Sequence, residues 1–144
     1  MPQSNTGEGS FVRNNGLKDC LSVQVRVRTL DDVAAEQDIR RVSVLKIDVE
    51  GFEASVFRGA LQFLERVRPE VILFEVNERI SGHVSDAPVF RILLDFGYTF
   101  LSIRRSMVAM RLLPFDPVRQ PIPAFCHDVL AIREDGSDRR GLLT

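Results

Sequence analysis

The feature that most constrains the fold is one nearly continuous apolar run, VSVLKIDV, at residues 42–49. Such a β-branched run is typical of a strand that is buried on both faces of a parallel sheet. Gly51 follows it, and apolar residues then recur at helical spacing from Phe52 to Val67, which predicts one long helix. Because proline disfavours the helical conformation in the residue before it, this helix ends at Arg68-Pro69. Val71 to Val76 predict a second buried strand, so the unit is β-α-β.

The same alternation continues towards the carboxyl terminus. Pro88 in a first turn, preceded by Ser85 or Asp86, opens a helix over Val89 to Phe96, which Gly97 ends. Tyr98 to Ile103 predict a third strand and Asp128 to Ile132 a last short strand, whereas Met107 to Leu113 are ambiguous.

Upstream of the apolar run, Val23, Val25 and Val27 alternate with polar residues, which predicts an edge or hairpin strand with one solvated face. Thr29, Asp31 or Asp32 then caps a short helix that ends near residue 39. We therefore predict an α/β fold with a mostly parallel sheet, flanking helices and an antiparallel last strand. Residues 17–133 form the domain, residues 1–16 a disordered lead-in and residues 134–144 a flexible tail.

Composition narrows the classes of function. The chain has 144 residues, of which 44% are apolar. Its formal net charge of -1 gives it no positive electrostatic field that would attract the phosphates of nucleic acid. The two cysteines lie in no metal-binding cluster or disulfide framework, and no apolar run approaches the ~18 residues of a membrane span. We expect a cytoplasmic protein that binds neither nucleic acid nor a membrane.

Acidic residues follow both strands of the β-α-β unit. Asp48, Glu50 and Glu53 follow the first strand, and Lys46 lies on the same strand face as Asp48, at a distance of ~7 Å. Glu53 also suits a purely structural role at the positive end of the following helix. Ligands of parallel α/β sheets bind beyond the carboxyl ends of the strands, so Asp48 is a candidate site residue.

Glu75 and Asn77 end the second strand and, if the strands are neighbours, converge with Asp48. Such a group offers a general base for a hydroxyl, a substrate-orienting pair, or oxygen ligands for a divalent cation. Alternatively, Glu75 only pairs with Arg79 or Lys46. His83, in the loop after this strand, is a candidate base or a solvated loop residue.

Four ordered segments carry a resemblance to a known family. Thr29 to Asp32, LKIDVEGFE at residues 45–53, Arg58-Gly59-Ala60 and Arg68 to Glu75 resemble the blocks of FkbM-family methyltransferases. The resemblance implies the carboxyl-terminal half of a Rossmann-like methyltransferase domain. It also implies S-adenosylmethionine as methyl donor and an oxygen of a sugar, polyketide or other small metabolite as acceptor.

Carried over to this sequence, the family's KIDVEG block implies that Lys46, Asp48 and Glu50 lie beside donor and acceptor, and its second acidic strand end adds Glu75. The resulting hypothesis has Asp48, Glu50, Glu75 and His83 as catalytic candidates, and Lys46, Asp48 and Asn77 as cofactor-binding candidates. Asp48 is the residue that we most expect to lie beside the reacting groups.

The sequence departs from the family because no glycine-rich strand-turn-helix, which would hold the donor, precedes residue 29. We therefore expect a truncated enzyme that is weak or inactive alone. The apolar first strand would then be an exposed edge, open to a second copy or to a missing amino-terminal half. Two alternatives stay open: a non-catalytic module that completes its sheet with a partner, and a divalent-cation site for phosphate chemistry.

Overall fold

The computed structural model describes residues 24–76, 87–106, 109–121 and 128–134. The helices in these ranges are α1 (Leu30–Glu36), α2 (Glu53–Arg58), α3 (Leu61–Arg66) and α4 (Pro88–Asp95). The strands are β1 (Val44–Ile47), β2 (Val71–Glu75), β3 (Tyr98–Arg105), β4 (Met110–Phe115) and β5 (Asp128–Arg133). The predicted lead-in 1–16 and all but the first residue of the predicted tail 134–144 lie outside the described residues, as do Asn77 and His83.

The five strands form one sheet in the order β1-β2-β5-β3-β4. The α/β class and the antiparallel last strand are confirmed, since β5 runs antiparallel to both β2 and β3. The prediction of a mostly parallel sheet is wrong, because only β1 and β2 are parallel neighbours. β5 inserts between β2 and β3, and β4 folds back on β3 through a connection too short for a parallel crossover.

Strand β1 lies at one end of this sheet, and its predicted burial on both faces is wrong. Val44 is 64% exposed and Lys46 is exposed, whereas Ile47 is buried. A strand at the end of a sheet has one neighbour instead of two, so its side chains lose cover from that side.

The predicted long helix over residues 52–67 is two shorter helices. α2 ends at Arg58 and α3 begins at Leu61, and Ala60 between them has a φ of -131°, which is not helical. The break lies where α1 approaches, since the backbone N–H of Asp31 donates to the carbonyl of Gly59 at 2.9 Å. Phe57 and Phe63 are nevertheless both buried, as the apolar spacing predicted.

The segment before α1 contains no strand in residues 24–29, contrary to the prediction. Val25 and Val27 are 63% and 75% exposed, so the alternating valines find no surface to cover. The predicted cap is confirmed, because Thr29 Oγ1 accepts from the backbone N–H of Asp32 at 3.1 Å. Likewise, α4 begins at Pro88 as predicted, and Gly97, with φ +77°, follows its end.

The hydrophobic core lies on one face of the sheet, which we call the helical face. Each of the four helices contributes to the core, which also contains Ile47, Phe74, Val129 and Phe100 of the strands. Phe74 and Phe90 make an edge-to-face contact with ring centroids 5.5 Å apart. The described helices span six to eight residues, far short of the ~20 that cross a bilayer.

Candidate active site at the carboxyl ends of two strands

The parallel pairing of β1 and β2 places their carboxyl ends at the same edge of the sheet. Ile47 is opposite Phe74 in this pairing, so Asp48 and Glu75 follow next on neighbouring strands. Carboxylate oxygens of Asp48, Glu50 and Glu75 all lie within 4.8 Å of one another. We call these three residues the strand-end acidic group. The expected convergence of Asp48 and Glu75 is thus present in the structure.

Lys46 is held against this group by Asp48. Its Nζ donates to Asp48 Oδ2 at 2.8 Å, and both side chains are about half exposed or more. The hydrogen bond, followed by the negative charge of Asp48, raises the pKa of Lys46 above its usual value. Lys46 therefore forms its ion pair with Asp48 and not with Glu75, as one alternative had it.

The turn after β1 has an unusual backbone conformation. Glu50 has φ +51° and Gly51 has φ +96°, and the turn is closed by a hydrogen bond from Phe52 N–H to the Val49 carbonyl at 3.2 Å. The left-handed conformation costs a residue with a Cβ roughly 1–2 kcal/mol. Such strain is concentrated at functional sites, where the surrounding structure enforces it.

Glu53 has the structural role considered for it. Its side chain is buried, and Oε1 accepts from the backbone N–H of Gly51 at 3.1 Å. It also lies in the first turn of α2, where Phe52 provides no side-chain cap. Glu53 therefore fixes the turn that presents Glu50.

Glu75 is half-buried at the centre of the edge. Partial burial, followed by the negative charges of Glu50 and Asp48, raises the pKa of Glu75 above its usual value. Within the described part of the chain, no hydrogen bond or ion pair engages its carboxylate. A carboxylate in this state is a stronger proton acceptor than an ordinary glutamate.

Two further charged residues at this edge were missed by the sequence interpretation. Asp128, the first residue of β5, is directly opposite Glu75, and its Oδ2 accepts from Arg105 Nη2 at 2.7 Å. The sequence could have indicated Asp128, because the last strand was predicted to be antiparallel. An antiparallel strand begins at the edge of the sheet where the strands on either side of it end. Asp128 is also one of the negative charges that raise the pKa of Glu75.

The strand-end acidic group offers oxygen atoms to a hard cation, to a positively charged ligand group or to a hydroxyl. Asn77 and His83 lie outside the described residues, so their candidate roles stay predictions. A separate cleft of about 390 Å³ lies between α1 and α3 and is lined by residues such as Ala34, Phe63 and Arg66. None of the described site candidates lines this cleft.

Comparison with known proteins supplies the family. No curated protein and no solved structure matches the chain. The family model for the methyltransferase FkbM domain matches residues 6–100, well over half of the sequence. Lys46 and the whole strand-end acidic group lie within the matched range, which also includes the unusual turn at Glu50. The chain therefore belongs to the FkbM methyltransferase family.

Proposed function

We propose that this chain takes part in methyl transfer from S-adenosylmethionine to an oxygen of a small metabolite or sugar, on a Rossmann-like fold. The observation that carries the proposal is the convergence of Asp48, Glu50 and Glu75 within 4.8 Å at the carboxyl edge, in a chain of the FkbM family. That edge is where parallel α/β units bind their ligands.

The charge of the strand-end acidic group fits the methyl donor. The group has three carboxylates beside one lysine, so it carries more negative charge than Lys46 balances. S-adenosylmethionine, when bound, supplies an electrophilic methyl group on a positively charged sulfur. Asp48 and Lys46 would hold the donor. The negative charge at this edge would attract the positively charged sulfur of the donor, which favours binding.

Residues of this chain also perform the proton transfer and orient the acceptor. Glu75 accepts the proton that the acceptor hydroxyl must lose, because its raised pKa makes it the stronger base. Glu50, at the same edge, orients the hydroxyl, while Asp48 stays with the donor. Asn77 and His83 remain candidates for donor binding and for a second base.

The chain alone should bind the donor weakly, since its sequence contains no glycine-rich strand-turn-helix. We expect a dissociation constant of roughly 0.1–1 mM, equivalent to ~4–5.5 kcal/mol. Titration with S-adenosylmethionine, followed by ¹H–¹⁵N NMR, should shift the amides of Asp48 to Gly51 and of Val76. Titration calorimetry that finds micromolar affinity would refute the expectation of weak binding.

The charge recognition has its own test. S-adenosylhomocysteine has a neutral sulfur, so it should bind severalfold more weakly than S-adenosylmethionine to the unaltered chain. Glu75→Gln should remove most of that difference, whereas Glu65→Gln, on the exposed side of α3, should not. No shift at the strand-end amides at millimolar donor would contradict the proposed function.

A second candidate is a non-catalytic module that completes its sheet through β1. The observation in its favour is the position of β1 at the end of the sheet with Val44 64% exposed. A homodimer or an amino-terminal half of the domain could pair there. This candidate predicts that S-adenosylmethionine causes no shift at the strand ends, which separates it from methyl transfer.

A third candidate uses the strand-end acidic group as a divalent-cation site for phosphate chemistry. Its three carboxylates are close enough to share one ion. Magnesium or manganese at millimolar concentration should then raise the melting temperature of the chain. An unchanged melting temperature would remove this candidate.

A further inference from the structure

The cleft between α1 and α3 lies away from the strand-end acidic group. Its lining residues Ile39 and Arg40 precede β1, and Arg66 and Val67 precede β2, so one end of the cleft lies at the amino ends of these two parallel strands. The strand-end acidic group lies at their carboxyl ends. The cleft and the proposed methyl-transfer site are therefore at opposite edges of the sheet.

The cleft has the size and the apolar lining of a small-molecule pocket. Its volume of about 390 Å³ lies at the lower end of the range for ligand pockets, roughly 300–1,000 Å³. Ala34 and Phe63 of its lining are buried, whereas Ile39 and Val67 are only partly buried and still present apolar surface. Such pockets bury the apolar part of a ligand and fix its orientation with a few polar groups.

The aspartates that line the cleft are already engaged. Asp31 accepts from the backbone N–H of Phe63 at 2.7 Å, and Asp38 pairs with Arg40 at 2.9 Å. Glu65 lies in α3 but does not line the cleft. The carboxylates in and beside the cleft therefore offer little to a positively charged ligand.

Arg66 is a lining residue whose charge is not balanced. In the described part of the chain, no hydrogen bond or ion pair engages its exposed side chain, and the same holds for Arg68, which follows the lining residue Val67. Glu70, two residues further on, pairs with Arg41 at 3.0 Å. This end of the cleft therefore has two arginines without a counter-ion, in a chain with a formal net charge of -1. Such a local positive charge is complementary to an anion.

We infer that this cleft binds a small amphipathic anion, in which a carboxylate or phosphate is attached to an apolar group about the size of a phenyl ring. The cleft extends along α3 from Gln62 to Arg66, which is one helical turn or ~6 Å. The apolar group lies between the two helices, and the oxyanion accepts hydrogen bonds from Arg66. The planar guanidinium suits this role because it can donate two parallel hydrogen bonds to one oxyanion. Arg68 adds longer-range attraction.

A titration followed by ¹H–¹⁵N NMR, with 3-phenylpropionate added to the unaltered chain, tests the inference. The amides of Ala34, Ile39, Phe63 and Val67 should shift with a dissociation constant on the order of 1 mM. The amides of Asp48 to Gly51, which report on the methyl donor, should not shift. This difference separates the cleft from the proposed methyl-transfer site.

Three further probes identify the chemistry that the cleft recognises. 3-Phenylpropan-1-ol has nearly the same shape but no charge, and inorganic phosphate has no apolar group, so each should bind about tenfold more weakly. Phenyl phosphate in place of 3-phenylpropionate shows which oxyanion is preferred. No shift at the cleft with either of these two anions would overturn the inference. Binding of the alcohol or of inorganic phosphate as tight as that of the preferred anion would also overturn it.

Substitutions separate the guanidinium from the pocket. Arg66→Gln should weaken binding of 3-phenylpropionate about tenfold and leave binding of the alcohol unchanged, because only the charged donor is removed. Arg58→Gln makes the same change at an exposed arginine of α2 outside the cleft and should have no effect. Ala35→Leu, at an exposed lining position of α1, should weaken both probes because the larger side chain occupies the cleft. Equal effects of the two arginine substitutions, or unchanged binding to Ala35→Leu, would contradict the proposed site.

Discussion

Replacement of Asp31 by alanine removes a helix cap that comes from outside the capped helix. The carboxylate of Asp31, in α1, accepts from the backbone N–H groups of Phe63 at 2.7 Å and Gln62 at 3.2 Å. These two groups lie in the first turn of α3, whose own N-cap residue, Ala60, makes no side-chain hydrogen bond. Asp31 therefore links α1 to α3 and satisfies donors that the helix leaves free.

The expected loss is about 2 kcal/mol of unfolding free energy. Loss of an N-cap side chain costs ~0.5–2 kcal/mol, and a hydrogen bond to a charged group contributes ~1.5–3 kcal/mol. The shorter bond, to Phe63, is partly buried and sets the main part of the cost, whereas the bond to Gln62 is exposed. Asp31→Asn keeps an acceptor oxygen and should lose about 1 kcal/mol.

Urea denaturation followed by circular dichroism measures both losses. Asp32→Ala is the matched control, since Asp32 is exposed in the same first turn of α1 and has no comparable contact with any residue that the structure describes. We expect it to change stability by less than ~0.5 kcal/mol. Equal losses from the alanine variants of Asp31 and Asp32 would refute the cap and leave only a general effect of negative charge at the helix start.

Three further changes test other parts of the structure. Gly59→Ala should cost about 1–2 kcal/mol in urea denaturation, because its Cβ would lie 3.2 Å from the Cβ and Cγ2 of Thr29; an unchanged midpoint would show that the α1–α2 contact can relax. Tyr98→Phe should cost about 1 kcal/mol, since the buried hydroxyl donates to the Pro69 carbonyl at 2.7 Å, and thermal unfolding at neutral pH would show no shift if water replaces that bond. Glu75→Gln should raise the melting temperature at pH 7, because the raised pKa means that folding disfavours the ionised carboxylate. The gain should vanish below about pH 4, where the carboxyl group is protonated in both the folded and the unfolded chain. A gain that is independent of pH would contradict this.

The parts of the fold that follow from local sequence were predicted well. The β-α-β unit, the cap at Thr29 and the start of α4 at Pro88 each depend on residues a few positions apart. The meeting of Asp48 and Glu75 was also predictable, since it needs only two neighbouring parallel strands. These features need no knowledge of where the later strands of the sheet lie.

The wrong predictions concern features that distant parts of the chain decide. The apolar stripe of residues 52–67 is compatible with one helix, and only the approach of α1 at Gly59 explains where it breaks. An apolar strand such as β2 is apolar in the same way whether its neighbour is parallel or antiparallel. The valines at positions 25 and 27 have the spacing of a strand, but a strand also needs a neighbour to pair with.

The direction of β5 explains why the carboxyl edge carries charges of both signs. β5 is antiparallel to both β2 and β3, so β1, β2 and β3 end at the edge where β5 begins. Lys46 and Arg105 each pair with one acid there, on either side of Glu75. Glu75 lies between these ion pairs, and its partial burial together with its negative neighbours raises its pKa. A fully parallel sheet would have started its last strand at the opposite edge and removed Asp128, and with it one of these negative neighbours, from the site.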